Sequence, residues 1–526
     1  MADNVPVVSS LNDIYPDDAL PAQQKRWTNL LASFKSTYGR PADYVSRSPG
    51  RVNIIGEHID YSLYEVVPMA VEQDVLLAIA LSPANGKPRV RLANLEDTKF
   101  PNRDFEVTND GRVEIDSTVH EWTNYFKAGM RGATELLQKL GNKGVGNANM
   151  DILATGSVPS GGGMSSSAAF VCASALAVVK AAGVDSVDRK ALVETAIVSE
   201  RNVGVNSGGM DQSASVFGEP GSALHVSFLP TLSVRAISFP DTNNPLTFVV
   251  AQSLVAADKH VGGPIHYNLR VVECTLAALV LAKITRTPSL STDSSPLGVS
   301  LRTFADAFFA AKKDPEPSTS SDGLTNQKAQ LQKLISIVED YLPQEEGYTR
   351  QQMSELLSVP IAELEEKYMT KFPVRAEHFK LRQRALHVYT EALRVVEFLS
   401  RLESAKPSTE AESEELLKGL GGLLNETQES CRDVYECSCP ELDELCTLAR
   451  SAGAYGSRLT GAGWGGCTVH LVPADKVDNV KRVWTEKYYK KKFPDITDEK
   501  LKEAIVVSKP GSGSRLFLVN GLESLV

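Results

Sequence analysis

Apolar residues recur at helical spacing from about Gln23 to Tyr38, through Trp27, Leu30, Leu31 and Phe34, which predicts a first helix. Val66 to Ala80 is almost continuously apolar and β-branched, the pattern of a buried strand. Residues 86–118 alternate charge with short apolar runs, which suggests a twisted antiparallel region, and Trp122 to Leu140 is amphipathic with a helical period. Met150 to Ala154 predicts a strand that ends in a glycine loop at Gly156, followed by an alanine-rich buried helix over Met164 to Ala182. A further helix is expected over Asp188 to Arg201, with Asp188 as its N-cap. Leu246 to Val255 predicts a strand and Tyr267 to Ile284 a long helix. Helical stretches at 300–313, 326–342 and 375–403 alternate with Ser/Thr/Pro-rich segments at 285–298, 314–323 and 404–413, which are expected to be exposed or mobile. Strands and helices alternate without a regular βαβ march, so the fold class is α+β.

Length and charge then narrow the classes. A chain of 526 residues is too long for one core, so two large domains are expected. Its net charge of −10 argues against partners that need a basic face, so nucleic acid and anionic membrane are not expected. The N-terminal segment has no secretory pattern and no run approaches a membrane span, so a cytoplasmic location is expected. Four of the seven cysteines cluster in CRDVYECSCPELDELC without a C-x2-C pair or a nearby histidine, a spacing that favours reduced thiols over zinc.

Four groups of residues carry candidate chemistry. GSVPSGGGMSSSAAF (156–170) follows a strand and opens a helix. Such a loop can present backbone N–H groups and a helix N-terminus to an anion, or simply cap a core helix. It fits neither the P-loop nor the dinucleotide fingerprint, and it has no lysine. RVNIIGEHIDY (51–61) crowds Arg51, Asn53, Glu57, His58 and Asp60 around an apolar pair. That density suits either a solvated turn or a site for a polyol whose hydroxyls satisfy carboxylates and imidazole. In GGMDQ (208–212), Asp211 opens a helix, either as its N-cap or as a functional carboxylate. Glu200 ends the preceding helix and is either a solvated charge or one of the few carboxylates a Mg²⁺ needs.

Together SPGRVNIIGEHIDY, PSGGGMSSSAAF, GGMDQ and RLTGAGWGGC (458–467) resemble, in order and character, the signature segments of galactokinases in the GHMP kinase superfamily. The helical insertions and the CSCPELDEL segment resemble the fungal type. The resemblance implies two α+β lobes around a cleft. The N-terminal lobe, with a mixed sheet, is expected over 1–235. A ferredoxin-like C-terminal lobe is expected over 236–526, with a helical insertion at about 285–413. It implies an ATP-phosphate loop at Gly161, Gly163, Ser165 and Ser166, with Mg²⁺ held through Ser166 and Glu200. It implies galactose contacts at Glu57, His58, Asp60 and Tyr267. Asp211 matches the carboxylate beside the sugar O1 hydroxyl, and Arg51 the cation that pairs with it and reaches the γ-phosphate. Ala462 and Trp464 replace residues often Gly and Phe in the family, and Ala257-Asp258-Lys259 aligns loosely with a nucleotide-facing stretch. The implied activity is ATP-dependent phosphorylation of α-D-galactose at O1, giving galactose 1-phosphate and ADP. The alternatives are an N-acetylgalactosamine kinase, or a galactose- and ATP-dependent sensor that binds a transcriptional repressor. The full-length SSSAA run and the presence of Arg51 and Asp211 favour a working kinase, expected as a monomer.

Overall fold

The computed structural model describes residues 3–108, 113–116, 119, 121–142, 148–159, 161–204, 208–242, 246–255, 264–312, 321–370 and 374–519. The Ala257-Asp258-Lys259 stretch lies outside the described residues.

A seven-stranded mixed sheet dominates the first half. Its strands are β1 (Val7–Val8), β2 (Tyr44–Ile55), β3 (Val67–Pro83), β4 (Arg89–Asn94), β5 (Arg103–Glu106), β6 (Ala148–Gly156) and β13 (Arg515–Leu518). They lie in the order β1-β13-β2-β3-β6-β4-β5. The Val66–Ala80 run becomes β3, and its two faces enter different cores. Leu76, Ala78 and Ala80 pack under helix α1 (Leu20–Tyr38) with Trp27, Leu30 and Phe34. Val75, Leu77 and Ile79 face the main core with Phe126, Val171 and Ala175. A strand covered on both faces reads as a continuous apolar run, because the period of two places every second residue in a dry layer.

Pro49 and Gly50 do not end an element; β2 runs through them for 12 residues, all buried. The cost is absorbed by irregular pairing with β3 between Pro49 and Arg51, where a strand can lose a donor without losing its course. Helices α2 (Thr123–Lys139), α3 (Ser166–Ala181) and α4 (Arg189–Glu200) match their patterns, and Asp188 caps α4 by accepting from the Ala191 N–H at 2.7 Å. The eight-residue α5 (Met210–Phe217) follows. A hairpin of β7 (Ser222–Ser227) and β8 (Ser233–Ser238) has no counterpart in the sequence reading, since its alternation is too short to separate from loop.

The second sheet contains β9 (Leu246–Gln252), β10 (Gly456–Thr460), β11 (Cys467–Pro473) and β12 (Ile505–Ser508), all antiparallel in the order β10-β11-β9-β12. With helices between β9 and β10 and between β11 and β12, this is the ferredoxin-like β-α-β-β-α-β arrangement. Val249 and Ala251 of β9 face Leu445, Trp484 and Tyr488, while Phe248 and Val250 face the main core.

Between β9 and β10 the chain is helical: α6 (Tyr267–Ile284), α7 (Leu301–Ala311), α8 (Ser321–Tyr341), α9 (Arg350–Leu357), α10 (Ile361–Tyr368), α11 (Leu381–Ser404), α12 (Glu410–Glu429) and α13 (Pro440–Ser451). The 404–413 segment is not all loop: Thr409 opens α12 with a capping box to Glu412, a helix start read instead as composition. No helix among the described residues is long and apolar enough to cross a membrane.

Candidate active site

Arg51 sits where β2 passes between the two glycine motifs. Its backbone N–H bonds Met164 O at 3.1 Å, one residue before the start of the α3 cap. Its guanidinium donates from Nε to Asp211 Oδ1 at 2.7 Å and from Nη1 to Gly163 O at 2.7 Å. One buried side chain therefore ties the polar motif, the phosphate-type loop and the GGMDQ segment together. Burial alone would make Arg51 easier to deprotonate, but the Asp211, Glu57 and Asp60 carboxylates outweigh it and raise its pKa.

Asp211 is not the N-cap. Gly209 occupies that position, and Asp211 is the second helical residue, where the partial positive charge of the helix end favours a carboxylate. It remains partly exposed, with 21% of its side chain accessible, while its partner Arg51 is 4% accessible. A charge-assisted bond on a carboxylate that stays partly accessible leaves room for a ligand to approach it.

Asp60 lies across from Asp211. Its Oδ2 accepts from the Met210 N–H at 3.3 Å. Burial, with the nearby Asp211 charge, pushes its pKa up to about 6. Gly208 is the residue that permits this approach. A Cβ there would stand 2.4 Å from Asp60 Cγ and Oδ2 and 2.5 Å from Tyr61 N. Tyr267, the first residue of α6, packs its ring 5.5 Å from that of His58 and 5.6 Å from that of Tyr61. Burial, followed by the Asp60, Asp211 and Glu57 charges, raises its phenol well above its ordinary value.

Glu57 and His58 are held from the other sheet. The Glu57 carboxylate accepts from Arg458 of β10 and from the Gly461 N–H at 3.0 Å. His58, in a left-handed conformation at φ 60°, places Nε2 3.0 Å from Ala462 O and Nδ1 3.0 Å from Tyr61 Oη. The Trp464 indole packs edge-on against His58 and stacks on His266 at 4.6 Å. Ala462 and Trp464 thus serve the polar motif directly.

The phosphate-type loop is shaped by glycine at Gly163, whose φ of 74° is left-handed. A Cβ there would meet Thr460 O at 2.9 Å and Cys467 N at 3.2 Å, so the loop backbone lies against the third glycine motif, RLTGAGWGGC (458–467). Ser165 caps α3 in a left-handed conformation, yet its side chain makes no cap bond. Its Oγ is buried without a hydrogen-bond partner among the described residues. An orphaned hydroxyl beside a helix N-terminus suits an anion's oxygen. Ser166 is the first residue of α3, and Gly161 has open space around it. Glu200, buried at the end of α4, accepts from the side-chain amide of Gln212, the residue after Asp211. Among the described residues no group of three or more His, Cys, Asp and Glu side chains forms a metal-binding cluster. All seven cysteines are unbridged.

Three family models match along the chain: the galactokinase galactose-binding signature over residues 32–81, the GHMP kinases N terminal domain over 124–219 and the GHMP kinases C terminal over 413–490. A galactokinase of Saccharomyces cerevisiae is 42% identical over 503 residues, covering 93% of this chain and 94% of that protein. The chain belongs to the galactokinase family. Within that family, a galactokinase of Candida parapsilosis is 40% identical, covering 97% of both chains. One from Schizosaccharomyces pombe is 38% identical, covering 94% of this chain and 96% of its own. The solved galactokinase of Lactococcus lactis, complexed with galactose, shares the fold with a TM-score of 0.63. It is 22% identical and covers 93% of this chain and 99% of its own.

Several side chains that build this candidate site were missed in the sequence. Arg458, Glu391, His387 and Tyr435 come from β10, α11 and the turn after α12. Glu391 Oε1 accepts from the Gly56 and Glu57 N–H groups at 2.8 and 3.1 Å. Burial opposes its charge, but the Arg394 and Arg458 guanidiniums prevail and hold its pKa down at about 2. His387 Nε2 lies 2.9 Å from Glu57 O, and burial keeps it neutral with a pKa of about 3. The one available signal was that Arg458 opens the RLTGAGWGGC segment; in the fold its strand is wholly buried, which makes an arginine costly unless it is paired.

Proposed function

We propose that this chain transfers the γ-phosphoryl group of ATP to the anomeric hydroxyl of galactose. The observation that carries the reading is Arg51, which bonds Asp211 and the carbonyl of Gly163 at once. That geometry supports a sugar hydroxyl and a phosphoryl group meeting at one cation.

In this reading Glu57, His58, Asp60 and Tyr267 receive the sugar. Asp211, partly accessible beside Arg51, orients the O1 hydroxyl and accepts its proton. The bond from O1 to phosphorus forms as the bond from phosphorus to the β-γ bridging oxygen breaks, and ADP leaves. Positioning and charge neutralisation do most of the work in such a loose transition state. Gly161, Gly163, Ser165 and Ser166 cradle the phosphates with N–H groups, hydroxyls and the α3 terminus. Arg51 supplies the fixed positive charge that the loop lacks.

Mg²⁺ fits the donor set: a hydroxyl at Ser166 beside the loop and one buried carboxylate at Glu200, the remaining ligands coming from phosphate and water. Bound there, it supplies further neutralisation of phosphate charge.

The test is ADP release by the purified protein with galactose, N-acetylgalactosamine, glucose and mevalonate in parallel. Turnover on galactose well above the other three is expected. Turnover on N-acetylgalactosamine instead, or none with galactose, overturns the assignment.

A further inference from the structure

Glu57 is fixed at every polar atom for which the structure gives a partner, and the partners all come from the C-terminal half of the chain. Its N–H donates to Glu391, its carbonyl meets His387 Nε2, and its carboxylate Oε2 takes Arg458 and the Gly461 N–H. Arg458 is fully buried and also donates from Nη1 to Asn53 O at 3.2 Å and Ile54 O at 3.0 Å. One guanidinium therefore holds the end of β2 and the carboxylate that follows it. Thr460, two residues on, pairs with the Asn53 backbone in both directions, at 3.0 and 3.2 Å. Ala462 O then meets His58. Alternate residues of one strand and its turn thus grip successive residues of the other motif.

We infer that Arg458 is a positioning residue for the sugar, setting the Glu57 carboxylate and, through the Gly461–Ala462 turn, His58. The inference rests on the galactose-kinase reading. Two features distinguish this role from plain stability. Arg458 meets Glu57 through a planar fork whose other arm is committed to backbone carbonyls, so the carboxylate is aimed as well as neutralised. The same Glu57 oxygen is shared with the Gly461 N–H, so a change at Arg458 shifts both motifs together. Among the described residues the phosphate loop meets this turn by backbone packing of Gly162 and Gly163 against Thr460, Gly461 and Gly466, while the Arg51 guanidinium donates to Gly163 O.

The experiment compares wild type, Arg458→Lys, Glu57→Gln, the double variant and Arg47→Lys. Arg47 is an equally buried arginine paired with Asp74 away from the site. Lysine keeps the charge, so an unpaired buried carboxylate does not dominate the result. KM for galactose, KM for ATP, kcat and Tm are measured for each. Wild-type turnover on galactose secures the underlying reading before the variants are compared. We expect Arg458→Lys to raise the galactose KM about tenfold or more and leave the ATP KM within about twofold, since a lost charged hydrogen bond is worth roughly that factor. The double variant should be no worse than the poorer single one, because both act on one contact. Equal changes in the two KM values, a galactose KM unchanged from wild type, additive effects, or the same galactose-specific rise in Arg47→Lys would each overturn the inference.

Discussion

Replacing Gly208 by alanine tests the sugar side of the site with a single methyl group. The added Cβ would stand 2.4 Å from Asp60 Cγ and Oδ2 and 2.5 Å from the Tyr61 N. Ordinary contact between such atoms is about 3.5 Å or more, so roughly 1 Å of separation must be found. The Tyr61 nitrogen is backbone, so a rotamer change at Asp60 alone cannot supply it. The glycine has little room to retreat either, because a Cβ at neighbouring Gly209 would already lie 2.6 Å from Ile197 Cδ1. Asp60 must therefore leave its 3.3 Å bond with the Met210 N–H, and the Met210–Asp211 turn shifts relative to it. Misplacement by 1 Å can cost about 100-fold in rate, while overpacking costs about 1–3 kcal/mol of stability. Steady-state kinetics with galactose, beside thermal melting, separates the two effects. We expect kcat/KM for galactose to fall by about 100-fold, with a Tm drop of a few degrees and an ATP KM within about twofold of wild type. A kcat/KM within about threefold of wild type in a folded variant would refute the reasoning.

Three further predictions follow from the same site. Gly163→Ala places a side chain at φ 74° and 2.9 Å from Thr460 O, so the loop must part from the third glycine motif; ATP KM should rise about tenfold or more in steady-state kinetics, and an unchanged value contradicts the packing. Asp60, with a pKa raised to about 6, binds its proton more tightly folded than unfolded, so its contribution to stability is present below about 4 and is lost as pH rises towards 6. As the ionised form accepts sugar hydroxyls, galactose KM should fall as pH rises from 5 to 7 by about tenfold, and Asp60→Asn should flatten that profile; an equally steep profile in the variant contradicts it. Glu200→Gln should raise the Mg²⁺ concentration for half-maximal rate by about tenfold, read by titrating the metal at saturating ATP and galactose, and an unchanged requirement would remove Glu200 from the metal site.

The helices and the long buried strand were legible because each writes its packing into a period. Trp27, Leu30 and Phe34 mark a helical face, and the Val66–Ala80 run marks a strand dry on both sides. The course of β2 through Pro49 and Gly50 was not legible, because irregular pairing lets a strand continue through a residue with no N–H, a tertiary outcome with no local mark. The β7–β8 hairpin was too short for its alternation to register. The site was legible as motifs, since Arg51, Glu57, His58, Asp60 and Asp211 fall in compact polar segments. Its supports were not. Arg458, Glu391 and His387 lie hundreds of residues away, and only the folded chain shows that they converge on Gly56 and Glu57. Asp211 illustrates the limit well: its neighbours could suggest a cap or a functional carboxylate, and only the folded chain shows Gly209 at the cap and Asp211 paired with Arg51.

The central claim is that Asp211, held by Arg51 against the phosphate loop, drives phosphoryl transfer to galactose. Asp211→Asn tests it most directly, because the amide keeps the shape and removes the proton acceptor. Galactose binding by calorimetry and ADP release under saturating substrates are measured on the same preparation. The account predicts that galactose still binds within about tenfold of wild type while kcat falls by about 1,000-fold or more. Turnover near the wild-type rate in that variant would contradict it.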